Sequence, residues 1–179
     1  MAAALVGVLG FDRHLDRWIV HHRVGPFDHA FVFLTQIGSW GAVWLAIALV
    51  LAAVTRRPLL FVLVAAADLA ADAVASLLKD VIPRARPPHV YPHPAPLVSD
   101  PHSHSFPSGH AATSFACATV LALRFPRAAA GFYVLAAAIA FSRVYVGVHW
   151  PTDVIAGAAL GILVALAIQS AVRMRARRR

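Results

Sequence analysis

The chain has 179 residues, 60% hydrophobic and 13% charged, with a mean hydropathy of +0.70. A soluble domain of this length has about half its residues apolar and about a quarter charged, so the excess apolar surface excludes ordinary soluble packing and calls for a bilayer. The formal net charge of +8 is concentrated where membrane proteins carry it: Arg173, Arg175, Arg177, Arg178 and Arg179 directly follow an apolar run, which marks a membrane-flanking tail and argues against a nucleic-acid partner.

Residues 3–24 mix Leu5, Val8, Leu9, Leu15, Trp18 and Ile19 with Asp12, Arg13, Asp16, Arg17 and His21. That pattern predicts a helix lying in the interface, with Trp18 at headgroup depth. Residues 1–10 are apolar, but no basic residue precedes them and Asp12, Arg13 and His14 follow at once, unlike a signal peptide.

A membrane-spanning helix needs about 20 mostly apolar residues. Five segments suggest themselves. The first covers about 37–54, with a start as early as Phe27. The second covers 58–79 and opens on Pro58, well placed at a helix start. The third, 108–124, is the shortest. The fourth covers about 128–148, and the fifth 151–172, again opened by proline. The expected fold is an all-α integral membrane bundle of five transmembrane helices, six if the N-terminal segment also crosses, in one domain over 1–179. Residues 1–26 form its interfacial segment and 173–179 its basic tail.

The longest polar connection, 80–107, holds eight prolines and four histidines, His89, His93, His102 and His104. Proline fixes φ and removes donors, so regular structure is not expected there. Without cysteine such a loop is a poor metal frame, and no metal is assigned. The single Cys117 lies in an apolar stretch and reads as a small buried side chain. Gly157 and Gly161 form a G-x-x-x-G pair on the fifth span, and with Ala111 and Gly147 they read as small residues for close packing inside the bundle.

Orientation follows from the short basic loops. Arg56 and Arg57 join spans one and two, Arg124 and Arg127 join spans three and four, and the Arg tail follows span five. Five spans place all three on one side, the cytoplasm by the positive-inside rule. The opposite face then holds Lys79, Arg84, Arg86 and Arg143, against the usual bias, and an anionic ligand accounts for them.

Three polar clusters converge on that face: Lys79 to Pro87, Pro107 to His110, and Ser142 to Asp153. Phosphoryl transfer needs fixed positive charge and N–H donors on the phosphoryl oxygens, an in-line nucleophile, and an acid for the leaving oxygen. Lys79, Arg86 and Arg143 supply charge, and arginine can grip phosphate bidentately. Ser108 and Gly109 open a helix whose N-terminal N–H groups face an anion. His110 and His149 remain for acid and nucleophile. Asp153, four residues after His149, can reach an imidazole N–H and fix its tautomer.

These clusters resemble the type 2 phosphatidic acid phosphatase superfamily, which includes vanadium haloperoxidases. The family pattern K-x6-R-P, P-S-G-H and S-R-x5-H-x3-D is met by Lys79, Arg86 and Pro87; by Pro107 to His110; and by Ser142, Arg143, His149 and Asp153. No motif residue departs, and the resemblance covers about 58–172. It implies that His149 attacks phosphorus and becomes phosphohistidine, that Asp153 orients it, and that His110 protonates the leaving group and then activates water. Lys79, Arg86, Ser108, Gly109 and Arg143 would hold the phosphate. No metal or cofactor is implied, and vanadate should inhibit.

Taken singly, His149 reads as an interfacial histidine, Asp153 as a helix cap and Lys79 as a snorkelling helix end; the joint spacing reverses this. Asp68 and Asp72 lie inside span two, where acids face the bundle interior, and Asp72 shares a helix face with Ser76 and Lys79. The apolar spans point to a lipid substrate. A site on the extracytoplasmic face of a bacterial plasma membrane, with the C-terminus in the cytoplasm, suits undecaprenyl diphosphate. The enzymatic alternatives are a phosphatidylglycerol-phosphate, phosphatidic acid or other polyprenyl-phosphate phosphatase. The non-enzymatic one is a membrane protein that binds or transports a phospholipid. Nothing in the sequence sets an oligomeric state.

Overall fold

The computed structural model describes residues 2–177, with side chains from 10 to 176. Arg178 and Arg179 of the expected tail, and the side chains of Leu5, Val8 and Leu9, lie outside the described residues. The described chain is helical: α1 (Ala2–His21), α2 (Gly25–Ile37), α3 (Ala42–Thr55), α4 (Pro58–Val81), α5 (Pro87–Val90), α6 (Gly109–Arg124), α7 (Ala129–Tyr145) and α8 (Pro151–Arg177). Short 3-10 turns precede α3 and α7.

Among the described residues, three segments are long and apolar enough to cross a membrane: Pro58–Val81, Pro126–Tyr145 and Pro151–Ala176. They match the second, fourth and fifth expected spans. The first expected span is broken. Its halves α2 and α3 meet at 63°, and counted together they make a fourth candidate. The break is local: Trp40 (φ 57°) and Gly41 (φ 63°) are both left-handed, a conformation that ends a right-handed helix. A Cβ on Gly41 would run into the Asp68 carboxylate, so only glycine fits.

The third expected span, α6, has 16 residues, about 24 Å of helix. It lies inside the bundle, packed against α4, α7 and α8. Thr113, Ser114, Cys117 and Thr119 are buried along it. A helix sheathed by other helices needs no lipid-facing stripe, which explains why its sequence is less apolar than its neighbours'. It still runs the depth of the bundle, from Gly109 beside Lys79 and Asp72 to Arg124, which shares a surface groove with Arg57 and Pro58.

The core is built on small residues. Ala67, Ala71 and Ala75 of α4, Ala112 and Ala116 of α6, Ala136 of α7 and Ala165 of α8 are buried together around Trp44, Val64, Leu121 and Ile139. Gly157 and Gly161 on α8 lie against the α6 backbone, where a Cβ would collide with the carbonyls of Ser108 and Ala112 respectively. The G-x-x-x-G pair thus packs within the chain, as expected. Gly147 does something else: at φ 80° it turns the chain between α7 and α8, beside Arg23.

The N-terminal helix departs from its expected orientation. Trp18 is exposed, but Asp12 and Asp16 are wholly buried. An interfacial helix should turn its charges to water, whereas α1 turns two acids inward, against α7 and α8. The loop between α4 and α6 contains only the single turn α5, as its prolines dictate.

Candidate active site

A cavity of about 490 Å³ opens where four elements end. Lys79 comes from the last turn of α4, Arg86 and Ser103 from the proline-rich loop, Gly109 and His110 from the start of α6, Arg143 from the last turn of α7, and His149 from the turn before α8. The α2–α3 break adds Gly38, Ser39, Trp40 and Gly41, and α4 adds Asp68 and Asp72.

His149 is buried at the cavity wall with both ring nitrogens engaged. Nδ1 lies 3.3 Å from Asp153 Oδ2, and Arg86 Nη1 donates to Nε2 at 3.1 Å. A guanidinium can only donate, so Nε2 carries the lone pair and Nδ1 the proton. That tautomer presents Nε2 as a nucleophile. Burial pushes the His149 imidazole down to about 3, and Arg86 and Arg143 act in the same direction against Asp153. The ring is therefore neutral at physiological pH.

Asp153 opens α8 behind His149. Its Oδ2 also accepts the Trp150 N–H at 2.9 Å and the Ser105 hydroxyl, while Oδ1 accepts from Arg84 at 2.6 Å. Four donors hold the carboxylate in one orientation. Its own carbonyl accepts the Ser108 N–H at 3.0 Å, tying the start of α8 to the start of α6.

Arg86 differs from the expected bidentate phosphate ligand. Nε donates to the Ser103 carbonyl, Nη1 to the Val148 carbonyl and His149, and Nη2 to Ser103 Oγ and the His104 carbonyl. All five of its N–H donors are thus directed at protein. It braces the loop and holds His149 Nε2, and burial lowers its pKa. Arg143 is freer. Its Nη1 donates to the Thr35 hydroxyl, and its buried Nε has no partner among the described residues. An unpaired buried donor at a cavity wall is costly, and an anion in the cavity would satisfy it.

His110 also lines the cavity. Ser39 Oγ donates to the Thr35 carbonyl at 3.1 Å and lies 3.2 Å from His110 Nε2. Lys79 Nζ and Asp72 Oδ1 flank Gly109, 3.7 and 3.5 Å from where a Cβ would stand. They form no ion pair with each other, in keeping with their seven-residue separation. Ser108 stands at the N-cap position of α6 without a side-chain cap bond among the described residues. It is buried, its hydroxyl lacks a partner, and it is absent from the cavity wall.

Of the eight residues expected at the site, Lys79, Arg86, Gly109, His110, Arg143 and His149 reach the cavity, while Asp153 and Ser108 stand one layer back. Arg84 faces away from it and pairs with Asp12 and Asp153, so the expected anion ligand is an internal brace. Thr35, Ser39, Ser103, Ser105 and Asp12 were not legible as site residues. The one sequence signal was the Gly38–Ser–Trp–Gly41 interruption of an apolar run. In the histidine-rich loop His89 pairs with Asp100 at 2.7 Å. None of His89, His93, His102 and His104 lines the cavity.

A helical bundle that sets a neutral, carboxylate-backed histidine beside two arginines and a lysine has the groups that phosphoryl transfer requires. Residues 57–177 match the PAP2 superfamily, and the chain belongs to it. It is 37% identical over 153 residues to a decaprenylphosphoryl-5-phosphoribose phosphatase of Mycobacterium tuberculosis, covering 82% of each chain. It is 31% identical over 157 residues to an undecaprenyl-diphosphatase of Sulfolobus acidocaldarius, covering 86% of this chain and 74% of that one. The crystal structure of a transmembrane PAP2-type phosphatidylglycerolphosphate phosphatase from Bacillus subtilis superimposes with a TM-score of 0.73 at 25% identity, over 94% of this chain and 87% of that one. The lipid A 1-phosphatases that it also matches are longer, and the match spans 38% and 40% of their length.

Proposed function

We propose that this chain is a metal-independent membrane lipid phosphatase that works through phosphohistidine. His149 Nε2 attacks phosphorus as the bond to the leaving oxygen breaks, and His110, protonated once the phosphate anion is bound, gives that oxygen its proton and becomes neutral. His110 then takes a proton from water, whose oxygen attacks phosphorus and releases His149 and inorganic phosphate. Lys79, Arg143 and the Gly109 N–H stabilise charge on the phosphoryl oxygens. Asp153 holds the imidazolium that forms. The observation that carries this reading is His149 itself, a cavity-wall imidazole with Nδ1 on the Asp153 carboxylate and Nε2 on the Arg86 guanidinium, the contacts that favour the Nε2 lone-pair tautomer. Pure binding or transport would need no such nucleophile.

The favoured substrate class is a polyprenyl lipid phosphate. Undecaprenyl diphosphate, cleaved to undecaprenyl phosphate, is the first member, in line with the relative from Sulfolobus acidocaldarius. One observation favours a second member, a phosphate monoester on a sugar headgroup. Asp68 and Asp72 also line the cavity and form no ion pair with any cation among the described residues. A leaving group that is itself a phosphate would meet carboxylates there, whereas sugar hydroxyls would meet acceptors. The relative from Mycobacterium tuberculosis acts on a decaprenylphosphoryl-phosphoribose by its name.

With α6 read as a fifth crossing, the Arg57 and Arg124 end lies in the cytoplasm with the C-terminus and the cavity on the extracytoplasmic face of a bacterial plasma membrane. The test is phosphate release by the full chain in detergent with EDTA, from undecaprenyl diphosphate, phosphatidic acid and phosphatidylglycerol phosphate, beside His149→Ala. Turnover that survives EDTA and is lost in the variant supports the reading. A folded protein that releases phosphate from none of them refutes it.

A further inference from the structure

Arg84 occupies a variable position of the first motif and does not line the cavity, yet it touches Asp153, the carboxylate behind His149. Its Nη1 donates to Asp153 Oδ1 at 2.6 Å and to Thr152 Oγ1 at 2.8 Å, and its Nη2 donates to Asp12 Oδ2 at 2.5 Å. The guanidinium stands over the Trp150 ring, 5.6 Å from its centroid, and Trp150 Nε1 donates to the Ala85 carbonyl at 2.8 Å. Arg84 is thereby fixed from three sides: by α1, by its own loop and by the start of α8.

Asp12 does more than pair with it. Its Oδ1 accepts the Thr152 N–H at 2.9 Å, and its Oδ2 accepts the Thr152 hydroxyl. An orphan N–H in the first turn of α8 is thus capped by a carboxylate from another helix. Asp12 is wholly buried, and a buried carboxylate without a cation would be costly. Arg84 supplies that cation, and the pair stands or falls together.

The consequence reaches His149. A carboxylate with one free oxygen can rotate about its Cβ–Cγ bond and trade one hydrogen bond for another. With Oδ1 held by Arg84, Oδ2 stays on the His149 Nδ1, Trp150 N and Ser105 Oγ donors. We propose that Arg84, itself held by Asp12, is a positioning residue for the nucleophile: it locks the Asp153 carboxylate so that Nε2 of His149 keeps its line to phosphorus, and α1 thereby belongs to the catalytic machinery. This rests on the histidine mechanism proposed above.

Because Arg84 does not reach the cavity, its loss should act on turnover and spare binding. The experiment compares the full-length wild type, Arg84→Gln, Arg84→Lys and Asp12→Asn in detergent, on undecaprenyl diphosphate and phosphatidic acid, with thermal midpoints measured alongside. Arg84→Gln should lower kcat about 10- to 100-fold, the range set by misorienting a reacting group, with KM within about twofold. Arg84→Lys, which keeps the charge, should recover at least a tenth of the wild-type kcat. Asp12→Asn should fall between, again with KM unchanged. If Arg84→Gln does not fold, the other two decide: folded Arg84→Lys and Asp12→Asn with wild-type kcat overturn the proposal. It is equally overturned by a folded Arg84→Gln with unchanged kcat, or by a loss expressed in KM. A folded wild type inactive on these two lipids and on phosphatidylglycerol phosphate would sink the phosphatase reading instead, which separates the two failures.

Discussion

Adding one methyl group at Gly161 should disable the enzyme from the far side of its central helix. A Cβ there would overlap the Ala112 carbonyl oxygen, and would lie 2.8 Å from the Ala116 nitrogen and 3.0 Å from the Ala112 carbonyl carbon. All three are backbone atoms of α6, so no rotamer change relieves them. Ordinary contacts lie at about 3.5–4.0 Å, which requires α6 and α8 to separate by about 1 Å. Overpacking of this kind costs about 1–3 kcal/mol. The shift would travel along a rigid helix to Gly109 and His110, less than one turn from Ala112. A displacement near 1 Å at a reacting group costs about 100-fold in rate. Gly161→Ala should therefore lower the thermal midpoint in detergent by several degrees and cut kcat by one to two orders of magnitude. Gly131→Ala is the control, because nothing lies within 4 Å of its Cβ position and alanine favours a helix by about 1 kcal/mol. A Gly161→Ala protein with wild-type midpoint and rate would show that the α6–α8 contact does not set the site's geometry.

Ser39→Ala removes the hydroxyl beside His110 Nε2 and should lower kcat about tenfold, roughly the worth of one oriented hydrogen bond, with the fold intact by thermal midpoint; an unchanged kcat would free His110 from the α2–α3 break. Asp72→Asn should lower activity without abolishing it, since Asp72 shares the cavity with Lys79 but does not touch it; full activity at normal expression would remove Asp72 from the site. His149, held down to about 3 by burial, is neutral well above that value, so kcat/KM corrected for substrate ionisation should show no acid limb near the ordinary imidazole range between about pH 5 and 7. A limb near 6.5 that disappears in a His149 variant with residual activity would contradict the neutral tautomer. Asp16 is buried without a partner, and burial raises its carboxyl to about 6. A carboxyl with a raised folded pKa contributes its stability below the unfolded value and loses it as pH rises through about 6. Asp16→Asn should therefore raise the thermal midpoint at pH 7.5 and add nothing at pH 4, and equal gains at both would point to packing rather than ionisation.

The parts of this protein that were legible in its sequence are those in which the chain repeats a rule locally. Apolar runs opened by Pro58 and Pro151 became α4 and α8, and the proline-dense stretch before Pro107 stayed irregular. The three motifs marked the cavity because motif residues are adjacent in sequence and each sits at a helix end. The missing parts are contacts between distant segments. Nothing about Asp12 as a residue says that it caps α8, since the Thr152 it holds lies 140 positions away. Its inward face was hidden by the interfacial pattern of α1, because a helix carrying acids that are buried reads like one whose acids face water. The break at Trp40 and Gly41 was hidden by an apolar run that hydropathy alone continues. Two left-handed residues there, Trp40 and Gly41, separate a transmembrane rod from the corner that carries Ser39 and Thr35 to the site.

Those distant contacts have one physical cause. To serve as the proposed nucleophile, a histidine in an apolar bundle must stay neutral, oriented and close to cations that repel one another. Lys79, Arg86 and Arg143 converge on one cavity, and arginines there without acceptors would destabilise the empty enzyme. The structure disposes of the problem unequally. Arg86 directs all its N–H groups at carbonyls, a hydroxyl and His149, so it is stable without substrate and serves as a brace. Arg143 retains an unpaired Nε. Satisfying that donor is interaction energy available only when an anion is bound, the kind that can stabilise a transferring phosphoryl group. Arg143→Lys should accordingly cost more in kcat/KM than the conservation of charge suggests, because an ammonium on a shorter reach cannot both hold Thr35 and meet the phosphoryl oxygens. A Lys variant within threefold of wild type in kcat/KM would mean that the charge alone matters at that position, and that the orphan Nε is incidental to catalysis.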